Sequence, residues 1–434
     1  MSLQTDPASL PRLLTGIPVD GAMGLEEHWA IHGEAPFAKR RERRGAGALI
    51  DVIERAGLLG RGGGAFPVAV KMRAVAGARG RPIVLANVAE GEPASRKDRV
   101  LIEGLPHLVL DGGVLAARAI GADELILCID ESAGPALQSA TRAIYERGRA
   151  GGEALRISVQ PVPEGYVSGQ ESALVNLCNG GQAKPALTPP MPFKRGVRRR
   201  PTLINNAETL AHLALIARYG PEWFRALGTQ AHPGSALVTL SGAAGNPGVY
   251  EIEQGAQLAS LIEAAGGTTS PVRAVLLGGY AGTWLDGGSI PALELSNDHL
   301  AAHEASLGAG IVVLLSEEAC PVAETSRVAS WLAAQSSGQC GPCVHGLRAI
   351  AGAIAQLAAG SASAGTGQRI ARWSSQASGR GACAHPDGVV GFLTSALDVF
   401  AEEFADHARH GPCDACSRPR ELPLPMPIRL ATAA

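Results

Sequence analysis

Two cysteine runs in the last third of the chain, Ser-Ser-Gly-Gln-Cys340-Gly-Pro-Cys343 and Gly-Ala-Cys383-Ala-His385, carry the strongest chemical signal. A Cys-x2-Cys pair at the mouth of a helix, with one more cysteine forty residues on, gathers thiolates around an iron–sulfur cluster or a zinc ion. Ser337 stands three residues before Cys340, where a further Cys-x2 step would put a fourth thiolate. A hydroxyl is a harder and far less acidic ligand than a thiol, so a cluster completed by Ser337 is expected to be labile or to leave one iron position open. Zinc is the rival occupant, because His345 and His385 each lie two residues beyond a cysteine. Three buried thiols without a metal are the plain alternative.

The second signal is the loop Gly60-Arg-Gly-Gly-Gly-Ala-Phe66-Pro67. It follows a helical pattern and not a strand, so it is weak as a dinucleotide fingerprint. Its glycines nevertheless let backbone N–H groups approach a phosphate, the helix beginning at Pro67 turns its positive end toward the loop, and Lys71 lies one turn inside. A merely structural glycine turn is the alternative. The run Val84-Leu-Ala-Asn87-Val-Ala89-Glu90-Gly91-Glu92-Pro93 ends a strand pattern with an amide and two acids, at the strand end where open α/β sheets bind ligands. Tyr166-Val-Ser-Gly169-Gln170-Glu171-Ser172 and Asn205-Asn206-Ala-Glu208-Thr209 are two more polar clusters, each opening a helix and each readable as an ordinary cap.

These residues need elements to hold them. Strand-like runs at 83–88, 125–129 and 155–159 alternate with helical patterns at 108–120 and 135–147, which reads as an α/β domain with a parallel sheet and crossover helices. From 234 to about 300 the texture becomes a small mixed α/β module, with a helix at 257–265. Beyond Pro321 the pattern is helical, at 327–335, 347–357 and 389–407. The expected domains are an N-terminal extension (1–45), the α/β domain (46–230), the mixed module (231–302), a helical domain holding the cysteines (303–417) and a loose Pro-rich tail (418–434).

The 434 residues are 46% apolar and 18% charged with a net charge of −2, a globular composition without an overall field for nucleic acid. The N-terminus has no signal-peptide pattern, and the apolar run at 311–315 is too short to span a bilayer, so a cytoplasmic location without membrane insertion is expected. Eight cysteines in so long a chain fit reduced thiols or a cluster better than a disulfide framework. The run Lys39-Arg-Arg-Glu-Arg-Arg44 reads as a solvated face.

Taken together and in order, these motifs resemble the NADH-oxidising flavoprotein subunit of respiratory complex I and its relatives in NAD-linked hydrogenases and formate dehydrogenases. The residues that carry the resemblance are Gly60-Arg-Gly-Gly with Phe66, Pro67 and Lys71; Asn87 with Glu90-Gly-Glu92-Pro and Lys97-Asp98-Arg99; Tyr166 with Gly169-Gln-Glu171; Pro201-Thr-Leu-Ile-Asn205-Asn206-Ala-Glu208-Thr209; and Gly338-Gln-Cys340-x-Pro-Cys343. The resemblance runs from about residue 45 to 416. It implies a Rossmann-like FMN-binding domain, a β-grasp (SLBB) module, and a C-terminal helical bundle with a 4Fe-4S cluster. It implies FMN contacts from Gly62, Lys71, Asn87, Glu90, Gly169, Asn205, Asn206 and Thr209, and NADH contacts from Gly63, Gly64, Phe66, Lys71, Glu92 and Glu171. Tyr166 joins the cofactor set, Glu90 and Glu171 are the implied catalytic residues, and Cys340, Cys343, Cys383 and Ser337 are the implied cluster ligands. Flavin suits this inventory because it converts the two electrons of a hydride into single-electron steps.

The chain departs from the family pattern at several places. Ala89 stands where the family has Asp, Gln170 where it has the first Glu of a Gly-Glu-Glu motif, and Ala74 and Met191 where aromatic rings sandwich the adenine. Stacking is worth about 0.5–1.5 kcal/mol per pair, so weaker NADH binding is expected, and loss of NADH oxidation with the flavin retained is the alternative function. Lys194-Arg195 and Arg198-Arg199-Arg200 read as a solvated face or a docking patch for an acidic ferredoxin, with an iron–sulfur partner subunit and a hetero-oligomer implied. Cys413-Asp-Ala-Cys416 resembles the end of the hydrogenase-linked relatives, and either thiol is an alternative to Ser337 as ligand. Cys128 and Cys178 read as core, and Cys320 as core or near the cluster.

Overall fold

Four short apolar runs pair as a parallel sheet: β1 (Ile83–Asn87), β2 (Glu124–Asp130), β3 (Arg156–Val162) and β4 (Thr202–Asn206), in the order β3-β2-β1-β4. The computed structural model of the chain describes residues 9–36, 45–151 and 155–425. The basic run 39–44 lies outside the described residues. β2 and β4 are buried along their whole length, as strands covered on both faces must be. The chain leaves β1 for β2 on one side and later adds β4 on the other, so the order reverses between β1 and β4. Open α/β sheets bind ligands in the crevice at the carboxyl ends flanking such a point. Here Asn87 and Asn206 are register neighbours at those ends. The helices Pro106–Ile120 and Ala207–Tyr219 cross beside this sheet so closely that a Cβ on Gly112 would lie 1.9 Å from the Leu210 carbonyl oxygen.

The second sheet is mixed: β5 (Ser235–Gly242), β6 (Gly248–Glu253), β7 (Val272–Leu277), β8 (Thr283–Asp286) and β9 (Ile311–Ser316), in the order β6-β5-β9-β7-β8. β9 is its central strand, so the expected boundary at 302 leaves out a strand the sheet needs. Alternation along β9 serves two cores: Val312 and Leu314 pack with the helix Leu258–Ala264, while Ile311, Val313 and Leu315 pack with the C-terminal helices.

Those helices are Pro321–Ala334, Arg348–Ala358, Thr366–Ala377, His385–Val399 and Ala401–His410, with a π-helical turn at Pro342–Leu347. The single helix expected over 389–407 is broken at Phe400 (φ −110, ψ 31), whose buried ring packs 5.2 Å from that of Trp284. The tail is docked and not loose as far as it is described. Leu422 is buried and the Glu421 carboxylate accepts the Ser316 N–H at 2.9 Å. Residues 9–36 of the N-terminal extension pack on the domain: Leu25–His32 is a helix, Leu13 and Met23 are buried, and His28 Nε2 lies 2.8 Å from Asp111 Oδ2. Among the described residues no single helix is long and apolar enough to cross a membrane.

Candidate functional site

The glycine loop closes on itself, the Gly60 N–H donating to the Phe66 carbonyl at 2.9 Å, and Gly63 takes φ +94, where a side chain would be strained. The helix Val68–Ala76 starts directly after it. Beneath the loop is a cavity of about 350 Å³ lined by Gly62, Gly64, Phe66, Lys71, Glu171, Asn205 and Thr209. A second cavity of about 520 Å³ is lined by Gly63, Glu90, Glu92, Tyr166, Gly278 and Cys383. The two share Gly62, Asn87, Gly169, Gln170 and Asn206 as walls, so one groove leads from the glycine loop to the cysteine region. Each part has the size of a small-molecule site, about 300–1,000 Å³. Ala89 and Gln170 line it, whereas Met191 lies elsewhere, 45% exposed.

The groove's polar groups divide into those already satisfied and those that are not. Asn87 donates from Nδ2 to the Gly169 carbonyl at 2.8 Å, but its Oδ1 is buried without a partner; Asn205 Nδ2 is buried without one too. Asn206 caps the helix Ala207–Tyr219 with Oδ1 and donates to Asp98 at 2.9 Å. Thr209 Oγ1 accepts the Arg61 N–H at 2.9 Å. Lys71 Nζ lies 2.7 Å from Glu171 Oε1 and 2.9 Å from the Ile204 carbonyl. The Gln170 side chain caps the helix Glu171–Cys178, accepting the Ser172 and Ala173 N–H groups.

The two acids of the β1 end differ. Glu90 accepts from Ser95 Oγ at 2.5 Å and from the Asp98 and Arg99 N–H groups at 3.2 and 3.1 Å, so it anchors the start of the helix Lys97–Gly104. Burial, then the charge of Asp98, pushes its pKa up. Glu92 accepts the Tyr280 N–H at 3.0 Å, and burial pushes it up to about 7. Tyr166 stands edge-on to Trp331 at 5.5 Å and 5.3 Å from the His385 ring, with its N–H held by Gln335 Oε1 at 2.9 Å. It therefore joins the groove to the cysteine-bearing helices.

Sequence reasoning gave no role to the charges behind the groove. Lys97 Nζ is buried between Asp98 (2.9 Å) and Glu208 (2.7 Å). Burial opposes its charge, but the two carboxylates outweigh it and raise its pKa. Glu208 Oε1 also accepts the Leu237 N–H at 2.8 Å, and Arg61 Nη2 donates to the Ser235 carbonyl at 3.0 Å. These contacts lock the first sheet's domain to the second. Lys97-Asp98-Arg99 and Glu208 stand in the motifs singled out above, but spacing along the chain does not show that Lys97 and Glu208 pair across 111 residues.

Cys383 lines the far end of the groove, and Cys340 and Cys343 lie close enough behind it for the three thiols to bear on one another's ionisation. Burial opposes ionisation of Cys340, yet the Ala382 and Cys343 N–H groups hold its thiol below its ordinary value. Burial, together with the charges of Cys340 and Cys383, pushes Cys343 up to about 12. It is the hydroxyl of Ser336, neighbour to Ser337, that bonds Cys343; Ser337 is half-buried. His345 is exposed, and His385 Nε2 lies 3.0 Å from the Leu332 carbonyl, so neither joins the thiols. Cys413 and Cys416 do not supply the missing ligand: their sulfurs converge instead on Cys320 and His407. Cys128 is buried, 3.9 Å from Cys178 between sulfurs. In the basic run, Arg198 pairs with Glu124 and Arg200 with Asp123, so these two brace the start of β2.

The residues present fit both implied groups. Two unpartnered buried amide atoms face a groove whose glycine loop and helix start favour a phosphate, and three neighbouring thiols, two of them pushed up by burial and by the charge of Cys340, suit iron ions that would stabilise them as thiolates. This is a flavin- and iron–sulfur-binding architecture. Residues 53–215 match the Nuo51 FMN-binding domain, and residues 323–407 match the NADH-ubiquinone oxidoreductase-F iron–sulfur binding region. The chain is 31% identical over 416 residues to the NADH-quinone oxidoreductase F subunit numbered 2 of Rhizobium meliloti (strain 1021), covering 93% of this chain and 99% of that relative. It is 26% identical to the HndC subunit of the NADP-reducing hydrogenase of Solidesulfovibrio fructosivorans, covering 90% and 82%. A chain of the air-oxidized NAD+-reducing nickel–iron hydrogenase superposes with a TM-score of 0.80 at 30% identity, covering 94% of this chain and 68% of that one. The protein belongs to the family of NADH-quinone oxidoreductase F subunits.

Proposed function

We propose that the chain is the NADH-oxidising subunit of a hetero-oligomeric electron-transfer assembly, taking two electrons from NADH and delivering them singly to an iron–sulfur partner subunit or a ferredoxin. The observation that carries this is the continuous groove in which the glycine loop and Cys383 line connected cavities. FMN, when bound, accepts hydride from a nicotinamide and releases electrons one at a time to a cluster. The chain's own residues do the rest. The loop Gly62–Gly64 and the start of the helix Val68–Ala76 receive a phosphate, and Lys71 lends positive charge. Asn87 Oδ1 and Asn205 Nδ2 offer one acceptor and one donor to a flavin edge, and Asn206, Thr209 and Gly169 shape the wall. Glu90 and Glu92 keep the sheet end polar, and Glu171 orients Lys71 at 2.7 Å. Phe66 offers a stacking face to NADH, and Tyr166, in the same cavity wall as Cys383, links the groove to the cysteine-bearing helices. Cys340, Cys343 and Cys383 hold the cluster, with Ser337 as the fourth ligand.

A second reading, a flavin-bearing electron-transfer subunit without NADH oxidation, draws on one observation: Phe66 is 52% exposed, and among the described residues no ring packs on it. The test is the purified chain reconstituted with FMN and iron, assayed for NADH-driven ferricyanide reduction. Turnover that Phe66→Ala weakens through KM supports dehydrogenase action. Flavin and iron at full occupancy with no turnover would support the second reading instead.

A further inference from the structure

Away from the groove, four donor atoms from three separate elements meet. Cys320 precedes the helix Pro321–Ala334, His407 sits in the last turn of Ala401–His410, and Cys413 and Cys416 belong to the short turn that follows. Their ligand atoms all lie within 4.8 Å of one another. We propose that Cys320, His407, Cys413 and Cys416 form a tetrahedral zinc site that clamps the C-terminal segment onto the helical domain.

The spacing is that of a single ion. Zn–S bonds of about 2.3 Å and a Zn–N bond of about 2.0–2.1 Å, at tetrahedral angles, set S···S edges of about 3.8 Å and S···N edges of about 3.6 Å. The sulfurs of Cys413 and Cys416 are 3.8 Å apart, and those of Cys416 and Cys320 are 3.4 Å apart. His407 Nε2 lies 3.5 Å from the Cys320 sulfur and 3.9 Å from that of Cys416. A disulfide needs about 2.05 Å, and both of these sulfur–sulfur separations are far longer. A four-iron cube would hold its ligands farther apart than one ion does.

The surroundings fit a metal ligand set. His407 is buried, and its Nδ1 lies 3.0 Å from the Ala358 carbonyl oxygen. That contact fixes the proton on Nδ1 and leaves the Nε2 lone pair facing the sulfurs, the arrangement in which a carbonyl orients a metal-binding imidazole. The Ala323 N–H points at the Cys320 sulfur at 3.3 Å, the kind of backbone contact that orients a sulfur ligand. Four protein donors leave no open position, the mark of a structural site and not a catalytic one. Three soft sulfurs and one imidazole select zinc over magnesium or calcium. None of Cys340, Cys343 and Cys383 joins this group of donor atoms, so the tetrad is separate from their site.

The clamp has a defined load. Just beyond Cys416, the Glu421 N–H donates to Glu324 Oε1 at 3.1 Å, the Leu422 carbonyl accepts from Arg327 at 2.5 Å, and the Tyr280 hydroxyl bonds the Pro423 carbonyl. Tyr280 is the residue whose N–H holds Glu92 in the groove.

The test is metal analysis of the full chain purified anaerobically, with cobalt substitution as a second measurement on the unaltered sequence. One zinc per chain is expected in addition to iron. Cobalt should give the intense visible bands and thiolate charge-transfer absorption of a tetrahedral site with three sulfurs. Cys413→Ser with Cys416→Ser should remove the zinc and keep the iron, while Cys340→Ser with Cys343→Ser should do the reverse. A trypsin cut after Arg420 should become at least tenfold faster in the zinc-free variant. Zinc below one tenth per chain in metal-replete protein, an octahedral cobalt spectrum, or loss of iron in place of zinc in the Cys413/Cys416 variant would each overturn the proposal.

Discussion

Replacing Asn205 with leucine should move stability and flavin affinity in opposite directions. Asn205 is 6% exposed at the end of β4, in register with Ala86, and its Nδ2 is buried with no protein partner. A buried donor left unpaired costs about 1–3 kcal/mol, and leucine has nearly the same shape without that group. Allowing about half for imperfect packing, the flavin-free Asn205→Leu protein should gain about 1 kcal/mol, a rise in Tm of about 2–4 °C for a domain of this size. Flavin should lose the corresponding hydrogen bond, weakening Kd by about 5–150-fold for a loss of about 1–3 kcal/mol. Differential scanning fluorimetry of flavin-free protein gives the first quantity, and quenching of FMN fluorescence gives the second. A flavin-free variant less stable than the parent, or an unchanged FMN Kd, would refute the assignment of this amide as a donor reserved for flavin.

Glu92 gives a pH signature. Its carboxyl titrates at about 7 in the fold against 4.5 as its ordinary value, so the fold favours the protonated form; its stabilising contribution is complete below about 4.5 and is lost as pH rises to about 7. The shift corresponds to at most about 3.4 kcal/mol, and contact with solvent in the groove reduces this to about 2 kcal/mol. Glu92→Gln should flatten the decline of Tm over that window, and an unchanged profile would remove Glu92 as its source. Lys97→Met strands the Asp98 and Glu208 carboxylates in the domain joint and should cost about 3–5 kcal/mol in chemical denaturation; a loss under about 1 kcal/mol would mean that joint is not held by this charge. Ser337→Cys should slow loss of the cluster's visible absorbance in air, by a factor read directly from the bleaching rate, and an unchanged rate would show that Ser337 is not a ligand.

Three strands of the parallel sheet, β1, β2 and β3, were legible because each is a short apolar run, and Asn87 because it ends one; β4 was read only as a polar cluster opening a helix, since its five residues end in Asn205 and Asn206, the second of which caps that helix. β9 was not legible: its apolar residues follow a loop, and only their place between β5 and β7 makes them a strand. The break at Phe400 was hidden because the apolar period continues across it, and the fold decides there through the contact with Trp284. Ser337 was picked by spacing alone, and the hydroxyl contact from the neighbouring Ser336 to Cys343 was not legible from it. The Cys320 tetrad was invisible as a set, since Cys320 lies 87 residues from His407 and 96 from Cys416. Pairwise proximity at that separation is a product of helix packing, which no local pattern encodes.

The central claim, that NADH electrons enter this groove and leave through the thiol site, is tested most directly by an anaerobic titration of the FMN- and iron-loaded chain with NADH, followed by visible absorbance and low-temperature EPR. The account predicts bleaching of the flavin band together with a reduced-cluster EPR signal, both diminished in Asn205→Leu, and the EPR signal alone lost in Cys383→Ala. A chain that dithionite reduces fully but that neither NADH nor NADPH bleaches at millimolar concentration would contradict it.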